Sequence, residues 1–146
     1  MSESRFVYVT YIRVSPEKLW DALTTPEFMK SYFFGVTFDT DWRQGSPWKM
    51  VYPDGTITDA GEIIEFTPPS RLVLSWQNQF RPELKAEGHG RCVMEVEAAG
   101  EASKLTITHT LGMEGSRLIG AVSEGWPQIL SNLKSVLETG KIVLTR

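Results

Sequence analysis

The stretch from Ser116 to Thr139 limits the possible folds of this chain more than any other. Read at helical spacing, it sets Leu118, Val122, Trp126, Ile129, Leu130, Leu133, Val136 and Leu137 on one side. Gln128, Ser131, Asn132, Lys134, Ser135 and Glu138 fall on the other. Apolar steps of three and four sustained over this length specify an amphipathic helix with one face to bury. Such a helix is about 35 Å long, roughly the width of a small domain. Gly140 follows where a left-handed residue closes a helix. Two residues oppose it: Gly125 costs about 1 kcal/mol relative to alanine, and Pro127 roughly 3. Either the helix starts late, with Ser123 as N-cap, or it runs through and kinks near Gly125-Trp126-Pro127. The stripe continues upstream through Leu118 and Val122 in phase, which favours the longer helix.

A one-sided helix needs an apolar partner surface, and the preceding residues read as a sheet. Arg5 to Val14 is β-branched and aromatic without a breaker, apolar on both faces, which predicts a central strand. Ser15-Pro16-Glu17 then starts a helix with an N-cap serine, a proline at the first position and an acid in the first turn. Leu19, Trp20 and Leu23 form its buried edge, and Thr25-Pro26-Glu27 repeats the start signal for a second short helix. Strands are predicted over 36–42, 48–52, 56–66, 71–76, 91–97 and 104–111, with Pro53-Asp54-Gly55 as a hairpin turn. The polar residues 77–90 read as a long loop or flexible hairpin. The fold class is α+β: a curved antiparallel sheet of about six to seven strands around one long C-terminal helix. A twisted sheet gripping a single helix touches it along a line and diverges elsewhere, which leaves room for a cavity.

The chain's 146 residues form one domain, 1–146, with a core of ordinary size. The fifteen Lys and Arg are scattered, so no nucleic-acid footprint is present. No apolar run reaches the length of a membrane span, and the first residues lack a signal-peptide pattern, so the expected location is cytoplasmic. A single cysteine excludes an internal disulfide.

Several segments resemble a known family. Ser15-Pro16-Glu17-Lys18-Leu19-Trp20, with Thr24-Thr25-Pro26-Glu27 following, resembles the start of the START-like helix-grip (SRPBCC) superfamily. Pro53-Asp54-Gly55, Gly61-Glu62-Ile63-Ile64-Glu65 and Pro68-Pro69-Ser70-Arg71-Leu72 match the middle in order. Leu105-Thr106-Ile107-Thr108-His109 and Gly125-Trp126, with Leu130 and Leu133, match the end. Within the superfamily the chain is similar to the activator of heat-shock-protein ATPase homologue family, in its small stand-alone form. The resemblance implies the helix-grip fold and a ligand cavity between sheet and helix. It does not fix a reaction, because members bind sterols, lipids, hormones or polyketides and some are cyclases. The family name implies a chaperone partner.

Candidate chemistry is sparse. His109 falls on the same strand face as Leu105 and Ile107. It either orients a ligand or moves a proton there, or it is a buried neutral histidine bonded to a neighbour. His89, between glycines, reads as exposed. Two histidines and one cysteine give no metal-ligand spacing, Asp39 and Asp41 read as solvated, and Cys92 reads as packing. No nucleophile elbow or glycine-rich phosphate loop occurs, so no catalytic set, metal or cofactor is implied. The sharper expectation is an apolar pocket lined by Phe28, Tyr32, Phe33, Trp48, Met50, Trp76, Met94, Met113 and Trp126. Helix residues Ile129, Leu130 and Leu133 join this lining, and His109, Tyr32 and the indole N–H groups are its polar members. The same aromatics fill a solid core equally well. The leading function is carriage or sensing of a small apolar molecule by a monomer or weak homodimer. An enzyme using His109 with Tyr32 or an acid is one alternative; a chaperone-assisting module is another.

Overall fold

A computed structural model describes residues 2–145 of the chain. Strand β1 (Ser4–Ile12) is followed by helices α1 (Pro16–Thr24) and α2 (Pro26–Tyr32). Strands β2 (Thr37–Thr40), β3 (Pro47–Val51), β4 (Ile57–Thr67) and β5 (Arg71–Asn78) come next. A short helix α3 (Pro82–Lys85), strands β6 (Gly90–Ala99) and β7 (Ala102–Leu111) and the long helix α4 (Arg117–Thr139) complete it. The seven strands form one antiparallel sheet in the order β1-β7-β6-β5-β4-β3-β2, curved around α4. This is the predicted α+β helix-grip arrangement, with two short helices after the first strand.

The local chemistry explains the element boundaries. Ser15 caps α1 by accepting from the Lys18 N–H at 3.2 Å. Ser116 caps α4 through Ile119, so the helix starts early and Ser123 lies inside it. The carboxylate of Glu87 adds to that cap, accepting from the Arg117 N–H at 2.8 Å and the Leu118 N–H at 3.2 Å. At the other end Gly140 takes φ 82° and donates to the Val136 carbonyl. Gly61 marks a close approach of β4 to β5: a Cβ there would stand 2.0 Å from the Ser75 carbonyl oxygen.

Three expectations are corrected. β1 is an edge strand, not a central one, and pairs only with β7 in the sheet order. Its inner residues face α4, while Val7, Val9 and Tyr11 are 48%, 45% and 53% exposed. Apolar residues on both faces therefore record β-propensity here, not burial on both faces. Asn132, read as solvent-facing, is fully buried. Residues after the helix fold back on it, and the Asn132 amide oxygen accepts from the N–H groups of Val143 and Leu144 while its NH2 donates to the Leu144 carbonyl. Within 77–90, β5 runs on to Asn78 and α3 occupies part of the predicted loop.

Candidate functional site

The interior facing α4 is built from aromatic rings. Trp48 of β3 stacks on Phe38 of β2 with centroids 5.0 Å apart and meets Trp76 of β5 at 4.7 Å. Trp76 in turn meets Trp126 of α4 edge-on at 6.0 Å, and Phe33 at the end of α2 meets Trp126 at the same distance. All three indole donors here are committed internally: Trp48 to the Ser75 carbonyl, Trp76 to the Asp59 carboxylate and Trp126 to His109 Nδ1.

His109 is fully buried, with its ring centroid 4.8 Å from that of Trp76. Burial pulls its imidazole from 6.5 down to about 3, so it is neutral at ordinary pH. An indole N–H can only donate, so Nδ1 is the acceptor and Nε2 carries the proton. Nε2 has no hydrogen-bond partner among the described residues. The Tyr32 hydroxyl donates to the Ala22 carbonyl at 2.9 Å, and burial pushes the phenol up from its ordinary value. Neither His109 nor Tyr32 lines the pocket between α4 and the sheet.

That pocket lies between the first half of α4 and the β3–β5 end of the sheet. It has a volume of about 190 Å³ and is bounded by Leu118, Ala121, Val122, Gly125, Trp126 and Ile129 on the helix. The sheet side supplies Met50, Asp59, Trp76 and Asn78; Phe33, Phe34, Val36, Tyr52 and Leu84 complete the wall. Two features shape this space. Gly125 contributes no side chain, and a Cβ built on it meets no heavy atom within 4 Å. On the facing sheet Asp59 shares the inner face of β4 with Ile63, opposite Asn78 on β5 and Met50 on β3. Asp59 is 6% exposed, and burial raises its carboxyl from 3.8 to about 6 despite hydrogen bonds from Trp76 and Asn78.

The predicted lining residues therefore divide. Phe33, Met50, Trp76, Trp126 and Ile129 meet at the pocket. Tyr32, Met94 and Leu130, with Phe33 and Trp126, instead surround a separate space of about 10 Å³, no more than one water-sized sphere. Trp48 packs behind Trp76, and Leu133 is fully buried core. Phe28 and Met113 are partly buried against the core, with Lys18 Nζ 4.9 Å from the Phe28 ring centroid. Sequence reasoning missed Asp59, Asn78 and Gly125. The signal for Gly125 was present as an uncompensated helix-interior glycine, and for Asp59 as the acid beside Ala60-Gly61 inside a strand.

Elsewhere, Cys92 is buried and its thiol is pushed up by burial, so it packs. Asp39 and Asp41 are exposed and pair with Lys49 and Arg43. Among the described residues no group of three or more His, Cys, Asp or Glu side chains converges as a metal site, and no helix is long and apolar enough to cross a membrane.

The curved sheet, gripped helix and intervening pocket define a START-like helix-grip protein. Residues 13–138 match the family described as Activator of Hsp90 ATPase homolog 1-like protein, and the chain belongs to that family. Among solved structures, ChR145 from Cytophaga hutchinsonii is 28% identical, with 94% of this chain and 96% of that one covered and a TM-score of 0.72. The Aha1 dimer from Colwellia psychrerythraea is 22% identical, with coverages of 94% and 98% and a TM-score of 0.72. DynU16, from the dynemicin biosynthetic locus, is 18% identical with a TM-score of 0.76; the match spans 94% of this chain and 48% of that one. No curated protein matches the sequence significantly.

Proposed function

We propose that this chain binds a small, largely apolar molecule in the pocket between α4 and the sheet, as a carrier or sensor. The observation that carries the reading is Gly125. A helix-interior glycine costs about 1 kcal/mol relative to alanine, no packing contact requires it, and its missing side chain is the pocket wall. At about 190 Å³ the pocket is smaller than the roughly 300–1,000 Å³ of typical ligand sites and close to the ~150 Å³ that holds benzene. It therefore suits a ring-sized group with a short extension. The biosynthetic locus of DynU16, a protein of similar fold, is in keeping with a small-molecule ligand.

The test is a thermal-shift screen with aromatic metabolites, fatty acids and polyketides, followed by intrinsic Trp fluorescence. A true ligand at about a hundredfold excess over Kd raises Tm by about 5 to 10 °C, and Gly125→Leu abolishes the shift. A library that moves neither Tm nor fluorescence, or a shift that Gly125→Leu leaves intact, refutes the reading. A second reading, assistance to an Hsp90-type chaperone, rests on the family match. A chaperone ATPase rate unchanged by added protein removes it.

A further inference from the structure

The polar side of the pocket says more about the ligand than its apolar side does. Asp59 receives both of its hydrogen bonds on Oδ2, from Trp76 Nε1 at 2.8 Å and Asn78 Nδ2 at 3.4 Å. Oδ1 accepts none among the described residues, and it is not one of the sealed polar atoms without a partner. The Asn78 amide oxygen is already occupied by the N–H groups of Phe80 and Arg81, which fixes its NH2 toward Asp59. No lysine or arginine lines the pocket, and none of the described ion pairs includes Asp59. A buried carboxylate with two neutral donors and no cation is undercompensated. The rings of Trp76, Trp126, Phe33 and Tyr52 line the same pocket, a flat apolar surface beside the carboxylate. An anionic head meets repulsion here, a neutral head gains one hydrogen bond, and a cationic head gains charge as well.

Resting on the pocket as a ligand site, we propose that the ligand is a small amine, its ammonium on Asp59 Oδ1 and its ring-sized apolar body against Trp76 and Trp126. The upward displacement of the Asp59 carboxyl by burial agrees with a site that lacks its counter-charge when empty.

Three probes that share a phenethyl body and differ in the head group test this: phenethylamine, 2-phenylethanol and 3-phenylpropionate, titrated by calorimetry against the wild-type chain at about pH 7.5. Phenethylamine is expected to bind about tenfold more tightly than the alcohol, and the carboxylate more weakly than the alcohol. Asp59→Asn keeps an oxygen acceptor for Trp76 and is expected to remove the advantage of the amine over the alcohol, so that the two bind alike. Alcohol binding as tight as amine binding in the wild type, or amine binding unaffected by Asp59→Asn, overturns the inference and leaves the pocket standing. Failure of all three probes, or equal binding to Gly125→Leu, overturns the pocket reading and the amine with it. The wild-type series decides the matter even where a variant does not fold.

Discussion

Replacing Asp59 with Asn tests whether the pocket carboxyl is as isolated as its surroundings imply. Each pH unit of displacement corresponds to about 1.4 kcal/mol, so a rise from 3.8 to about 6 amounts to about 3 kcal/mol of stability. The folded state holds this proton more tightly than the unfolded state. Asp59 therefore costs nothing below its unfolded value, destabilises progressively as pH rises from about 4 to about 6, and imposes its full penalty above that. His109 acts in the opposite sense. Its folded value is depressed from 6.5 to about 3, so it removes stability as pH falls through that interval. Because the two windows overlap, the informative quantity is the difference between Asp59→Asn and wild type, measured by urea denaturation from about pH 4 to pH 8. Tyr52 is the other ionisable side chain in the pocket wall and is common to both proteins. The variant is expected to gain on wild type by about 3 kcal/mol across the interval, with the change complete near neutrality. A difference that stays flat, or that favours wild type as pH rises, refutes the reasoning: the carboxyl would then be solvated or paired.

Gly125→Ala places a methyl group in open space, so it is expected to raise stability by about 0.5 to 1 kcal/mol in urea while weakening ligand binding. A loss of stability would show that the glycine serves packing. Gly61→Ala drives its Cβ onto the Ser75 carbonyl and is expected to cost more than about 3 kcal/mol, seen as a large drop in denaturation midpoint. Asn132→Ala removes three hydrogen bonds that hold residues 143–144; limited proteolysis is expected to cut there first, with a stability loss of about 1 to 3 kcal/mol.

The long helix was legible because its period, N-cap and terminal glycine agree, and Ser116 and Gly140 bound it in the structure. The hairpin strands were legible by alternation and turn residues. Strand order was not: β1 carries apolar residues on both faces, yet Val7, Val9 and Tyr11 sit on an edge strand's exposed side. Asn132 misled because its burial depends on residues 143–144, which no period within the helix encodes. In the pocket, Trp76 and Trp126 were readable as inward aromatics. Asp59 was passed over although alternation back from Ile63 sets it on the inner face, because a carboxylate within a strand ordinarily faces water.

The pairing of β1 with β7 has a consequence during synthesis. Ser4 lies opposite Leu111 and Ile12 opposite Ser103, so a nascent chain carries its first strand without a ladder until almost the whole sheet has left the ribosome. At ordinary elongation rates that interval is about 5 to 20 seconds. Throughout it, the ribbon from Phe6 to Tyr11 presents apolar residues on both sides and two open edges to solvent or to a holdase.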